Sequence, residues 1–129
     1  MAAGTVIRAA RYPGRAPIDS YGNGGFRFAG MSHRGSLLCL PSGIYGWDVP
    51  ASGVPDEASL ARLFTEADAV EILLVGTGRA LIPLPAELKA RCRAEKIVAE
   101  PMSTGAAVRT FNVLLAEGRA IAAALVAVD

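Results

Sequence analysis

The sequence predicts an α/β fold: a three-layer single domain over residues 1–129, with a central mixed sheet, a β-rich N-terminal half and an α-β-α-β-α-β C-terminal half. Three observations predict it. Residues 1–50 are rich in glycine and proline and carry only short apolar runs. Residues 56–129 change period, with amphipathic helical segments alternating with apolar runs. Two of those runs, VEILLVG (70–76) and RAIAAALVAV (119–128), are apolar almost throughout, as strands buried on both faces are.

The elements follow in order. TVIRAA (5–10) reads as a strand. PIDSYGNGGFRFAG (17–30) reads as two short strands around Gly22-Asn23-Gly24-Gly25, a hairpin turn. Phe26 and Phe28 flank Arg27, the alternation of a half-buried strand. MSHRG (31–35) reads as the next turn, SLLCLP (36–41) as a strand and IYGWDV (44–49) as the last strand of this half. In DEASLARLFTEA (56–67), Leu60, Leu63 and Phe64 share one helical face, and the acids at its start suit the helix dipole. PAELKARCRAEK (85–96) is a helix with Pro85 in its first turn, and IVAE (97–100) is a strand. TGAAVRTFNVLLAEG (104–118) is a helix, with Thr104 placed to cap it and Gly118 to end it.

Composition narrows the function. Hydrophobic residues make up 52% of the chain and charged residues 19%, the balance of a packed globule. Thirteen basic residues against 12 acidic ones leave a net charge of +1, which is no footprint of a nucleic-acid binder. No apolar run reaches the roughly 20 residues of a transmembrane helix, so no transmembrane segment is expected. The start has Arg8, Arg11 and Arg15 with no acid before Asp19, a faint likeness to a transit peptide. It lacks serine, and Pro13-Gly14 interrupts any helix, so a strand is expected there. Cys39 and Cys92 lie outside any Cys-x-x-Cys pair and are expected to be free thiols in a reducing cytoplasm. With His33 as the sole histidine, no metal-ligand spacing exists.

EILLVGTG (71–78) poses the main functional question. Gly76 and Gly78 supply the first two glycines of a dinucleotide fingerprint, and Glu100 stands near where an acid meets a ribose. The third glycine is replaced by Leu81, and Pro83 and Pro85 hold the chain extended before the helix. The expectation is therefore no cofactor, and a turn that needs glycine for positive φ or for close approach. His33 sits in an expected turn beside Arg34 and reads as solvent-exposed. Cys92 lies between Arg91 and Arg93, which either lowers its pKa or leaves it packing a helix face. Arg109 and Asn112 share a helix face with Gly105 and Ala116. Either they line a pocket at the helix start, or the arginine reaches solvent and the asparagine bonds backbone. Tyr45 and Trp47 suit a binding surface or a core equally.

Four stretches, IDSYGNGGFRFAG, GSLLCLPSGIYGW, EILLVGTG and STGAAVRTFNVLLAEGRAIAAAL, together resemble a known family. It is the small domain of unknown function shared by bacterial and archaeal proteins, by assembly factor 3 of mitochondrial respiratory complex I (NADH:ubiquinone oxidoreductase), and by an adipogenesis-associated protein. The resemblance spans about residues 5–127. It implies the three-layer fold, a protein partner and no established catalytic activity. It also implies signature positions at Tyr21, Gly22, Phe26, Gly30, Trp47, Gly76, Gly78, Thr104, Thr110, Asn112, Glu117 and Arg119. Position 111 is phenylalanine where the family suggests tyrosine, so no phenol role is expected there.

Two function classes follow. The first is an uncharacterised non-enzymatic interaction or assembly protein, linked to respiratory complex assembly. The alternative is a small-molecule or anion-binding protein, or an enzyme, with its site at the Gly76–Gly78 loop and the helix after Thr104. The expected binding residues are Gly76, Thr77, Gly78, Thr104, Arg109, Asn112 and Arg119, with no catalytic residue and no metal ligand assigned. Geometry sets the meeting point: strands 70–76 and 97–100 read as parallel, so their carboxyl ends share a side of the sheet. Thr77, Thr104, Arg109 and Asn112 are expected to converge there.

Overall fold

Three adjacent strands alternate their side chains between two cores, and that alternation makes the layers. The computed structural model of the chain describes residues 11–129. The strand expected over 5–10 lies outside the described residues. The described strands are β1 (Arg11–Pro13), β2 (Ile18–Gly22), β3 (Gly25–Phe28), β4 (Met31–Arg34), β5 (Leu37–Leu40), β6 (Gly43–Gly46), β7 (Ile72–Gly76), β8 (Val98–Met102) and β9 (Ile121–Leu125). The helices are α1 (Ala61–Phe64), α2 (Ala86–Ala94) and α3 (Thr104–Ala116).

Six strands form a mixed sheet in the order β1-β6-β5-β9-β7-β8. Pairing is antiparallel from β1 through β9 and parallel among β9, β7 and β8. A second, antiparallel sheet has the order β2-β3-β4. On one face of the large sheet, Leu38, Leu73, Val75, Ala122 and Ala124 pack with Leu63 of α1 and Leu88 of α2. On the other face, Leu37, Leu74, Ile121, Ala123 and Leu125 pack with Phe26 and Phe28 of the small sheet and with Val108 and Phe111 of α3. Period-two alternation in β5, β7 and β9 thus serves both cores. Ala122, Ala123 and Ala124 are fully buried, which lets both outer layers approach the centre of the sheet.

Several elements depart from the sequence reading for local reasons. The segment expected as a turn at 31–35 is strand β4 over Met31–Arg34. The two-residue turn Ala29–Gly30 puts both residues at positive φ (49° and 75°) and returns the chain antiparallel to β3. The helix expected over 56–67 is broken into a short 3-10 turn at Ala58–Leu60, α1, and a second 3-10 turn at Ala67–Ala69. Asp56 caps the first turn through the Ser59 N–H at 2.8 Å. Thr65 folds its hydroxyl back to the Arg62 carbonyl, and Glu66 leaves the helix to accept from the Ser42 N–H and hydroxyl. The strand expected to end at Glu100 runs on to Met102.

Candidate functional site

The end of β7 and the start of α3 are tied together atom by atom. Parallel β7 and β8, joined through α2, deliver their carboxyl ends to the same side of the sheet. The Thr77 N–H donates to the Met102 carbonyl at 2.9 Å, and the Thr104 N–H donates to the Gly78 carbonyl at 2.8 Å. Thr104 Oγ1 accepts from the Gly78 N–H at 3.0 Å and donates to the Val126 carbonyl at 2.7 Å. The Val126 N–H in turn donates to the Gly76 carbonyl at 2.9 Å. One buried hydroxyl therefore stitches the exits of β7 and β9 to the first residue of α3.

The two glycines serve different needs. A Cβ on Gly76 would lie 2.9 Å from Thr104 Cα, 3.1 Å from its Oγ1 and 3.2 Å from Leu125 Cδ2. Gly76 exists for close approach of the helix to the strand. Gly78 has open space where a Cβ would go but holds φ at +105°, so it serves backbone conformation. Thr77 spends its hydroxyl inside the loop, donating to the Ala80 carbonyl at 2.6 Å and accepting from the Ile82 N–H at 2.9 Å. Thr104 is not the cap expected from the sequence. Ser103 is, with Oγ accepting from the Ala106 N–H at 3.3 Å.

What faces outward is a shallow depression of about 360 Å³, lined by Tyr21, Gly78, Arg79, Ser103, Gly105 and Arg109 among others. The Tyr21 hydroxyl lies so close over Gly105 that a Cβ there would collide with it. Arg79 and Arg109 are exposed. Among the described residues both ion pairs belong to Arg91, so neither rim arginine has a carboxylate partner. The start of α3 adds its positive dipole end to the same mouth.

The other expected residues lie elsewhere. Asn112 is two turns further along α3, where Oδ1 accepts from the Ile18 N–H at 2.9 Å and Nδ2 donates to the Ile18 carbonyl at 2.8 Å. It fastens the small sheet to the helix. Arg119 follows the far end of α3, and the neighbouring Ala120 carbonyl accepts from Glu71 at the amino end of β7. Gly76, Thr77, Gly78 and Thr104 thus come together and Arg109 reaches their rim, while Asn112 and Arg119 do not. Sequence reasoning missed Arg79 and Ser103 in this mouth. Ser103 carried a signal, a small hydroxyl residue immediately before a helical pattern.

The remaining reactive groups are buried. His33 is buried in β4 at 6% exposure rather than exposed in a turn, and its Nε2–H donates to the Ser36 carbonyl at 3.0 Å. Both cysteines are free and buried. Burial pushes the Cys39 thiol up to about 12. Burial also raises Cys92 and outweighs the opposing charge of Arg91, so the helix-packing reading of this cysteine holds. Trp47 is core, with Nε1–H donating to the Ser59 carbonyl at 2.8 Å. Among the described residues no group of three or more His, Cys, Asp or Glu side chains is placed to hold a metal. No helix there is long and apolar enough to cross a membrane.

Fold and site together define a class: three-layer α/β proteins in which a glycine-ended central strand is clamped to a helix start by a buried threonine. Residues 18–126 match the family described as protein of unknown function (DUF498/DUF598), and the chain belongs to that family. It is 44% identical over 114 residues to an uncharacterised protein of Rhodobacter capsulatus, covering 88% of this chain and 86% of that one. It is 32% identical over 115 residues to NADH dehydrogenase (ubiquinone) 1 alpha subcomplex assembly factor 3 of Mus musculus. That match takes in 89% of this chain but only 62% of the mouse protein, less than two thirds of its length. A crystal structure described as an outer membrane protein from Bartonella henselae superposes with a TM-score of 0.89 at 59% identity, covering 92% of this chain and 99% of that one.

Proposed function

We propose that the chain is a non-enzymatic interaction or assembly protein of the cytoplasm, linked to the assembly of a respiratory complex, and that it meets a protein partner at the mouth between Gly78 and α3. One observation carries the reading. The hydroxyls of Thr77 and Thr104 and the Gly78 N–H are spent inside the chain, while Arg79, Arg109 and Tyr21, with the exposed Asp129, line a shallow rim. Arginine and tyrosine are the residue types that anchor protein interfaces. The relatedness to a complex I assembly factor over most of this chain supports the same reading. Affinity capture from the native host, with the wild type beside an Arg79→Glu/Arg109→Glu double variant, tests it. The double variant is expected to lose the partner. Capture of the same proteins by both overturns the reading.

A second reading uses the same mouth for a small anion. Its support is the helix start flanked by two arginines without carboxylate partners. Titration with inorganic phosphate, followed at the Gly105 and Arg109 amides by NMR, separates the two. Saturable shifts favour the anion, and their absence leaves the docking reading alone.

A further inference from the structure

Among the described residues the sheet edges are closed in different ways, and one stays open. In β8 the Val98 N–H and the Met102 carbonyl point toward β7, so Ala99 and Pro101 face outward, and proline brings no N–H. In β2 the register shifts between Ile18 and Ser20, and Asn112 takes both backbone groups of Ile18. At the β1 edge the strand ends in Pro13, which brings no N–H. Among the described residues, strand β4 has none of these devices and pairs on one side only, with β3.

Its register shows which groups are free. Phe28 and Met31 close the two-residue Ala29–Gly30 turn and form a hydrogen-bonded pair. The next such pair is Phe26 with His33, and the Gly35 N–H bond to the Gly24 carbonyl at 2.7 Å continues the series. Ser32 and Arg34 therefore turn their N–H and carbonyl groups away from β3. Both residues are exposed. Arg34 also lines a depression of about 270 Å³ with His33, Ser36, Gly46, Trp47 and Asp48. His33 Nδ1 is buried without a hydrogen-bond partner, alone in this among side-chain atoms of the described residues.

We infer that the β4 edge takes an extended acidic segment of a protein partner as an added strand. Main-chain bonds to Ser32 and Arg34 supply the register. Charge fixes the chemistry of the occupant: Arg34 and Arg27 are exposed on the same outer face, and neither has an ion-pair partner among the described residues. A residue paired opposite Arg34 projects on that face, where a carboxylate meets the guanidinium. The residue opposite His33 projects on the inner side, so the occupant alternates acidic residues with short β-formers such as threonine. This surface is separate from the mouth at α3, so its failure leaves the docking reading there untouched.

The test uses the full chain and an acetylated, amidated heptapeptide alternating glutamate and threonine, with a twin carrying lysine for glutamate. Amide hydrogen exchange at Ser32 and Arg34 is followed by NMR. The acidic peptide is expected to slow it roughly tenfold at about ten times its dissociation constant, and the lysine twin to leave it unchanged. Arg34→Glu should reverse that preference. Arg27→Glu, which should weaken acidic-peptide binding, keeps the test available should Arg34→Glu fail to fold. Three results overturn the inference: equal protection by both peptides, side-chain shifts without backbone protection, or protection that rises with protein concentration alone. The last would assign the edge to a second copy.

Discussion

Gly76→Ala is the sharpest probe of the clamp, because the glycine is needed there for space and not for φ. The new methyl group would sit 2.9 Å from Thr104 Cα and 3.2 Å from Leu125 Cδ2. Thr104 Cα is helix backbone, and Leu125 is fully buried in the central sheet, so neither gives way freely. Overpacking of this kind costs about 1–3 kcal/mol. If α3 slides outward to relieve it, the Thr104 Oγ1 bonds to Gly78 and Val126 stretch, at about 1 kcal/mol each. The expected loss is about 2–4 kcal/mol. With a urea m-value of about 2 kcal/mol/M, the midpoint falls by roughly 1–2 M. Trp47 fluorescence and far-UV circular dichroism should report the same shift. Thr104→Val, which keeps the volume and removes the hydroxyl, should cost a similar amount but combine non-additively with Gly76→Ala. An unchanged midpoint for Gly76→Ala would refute the close-approach argument, and strict additivity would refute the shared clamp.

Gly78→Ala should cost more than about 1 kcal/mol in the same melts through its φ of +105°, even though the space is empty. Ala29→Gly should raise stability by roughly 0.5–1 kcal/mol, because an alanine holds φ at +49° in the β3–β4 turn. NAD(P), FAD and ATP should give no thermal shift, since the loop groups that would meet phosphates are already bonded within the chain. The Cys39 thiol is raised above its ordinary value of 9.0 to about 12 by burial, so the unfolded chain loses this proton first. The stability it contributes is present below pH 9 and is lost as pH climbs toward about 12. Urea midpoints measured from pH 8 to 11 should fall more steeply for the wild type than for Cys39→Ala.

The layered fold was legible because its signals are local. The apolar runs at β7 and β9 and the helical face of α3 each announce themselves within a few residues. Strand β4 was not, since Met-Ser-His-Arg between two glycines has the composition of a turn. Only pairing with β3 makes His33 an inward residue. The location of the candidate site was legible for the same reason as β7: a buried strand that ends in glycine marks a place where chains approach. The roles there were not. Thr104 bonds Val126, 22 residues on, and Asn112 bonds Ile18, 94 residues back. No window on the sequence distinguishes a hydroxyl that meets a ligand from one that meets a distant carbonyl.

The clamp and the rim can nevertheless be separated by experiment, because they fail differently. Gly76 and Thr104 are buried and set where α3 begins, so variants there act on folding first. Arg79 and Arg109 are exposed and carry no ion pair among the described residues, so replacing them removes no packing the fold depends on. Arg79→Glu and Arg109→Glu should therefore hold the urea midpoint to within about 0.5 kcal/mol of wild type. Partner capture should nonetheless fall, because a reversed charge at an interface repels as well as failing to attract. Gly76→Ala, in contrast, should lose capture only as far as it loses folded protein. Two results would sink this division: an arginine variant that unfolds with Gly76→Ala, or a Gly76→Ala protein that is fully folded yet captures nothing. In either case the arginines would belong to the clamp, and the mouth would be a by-product of packing α3 against β7.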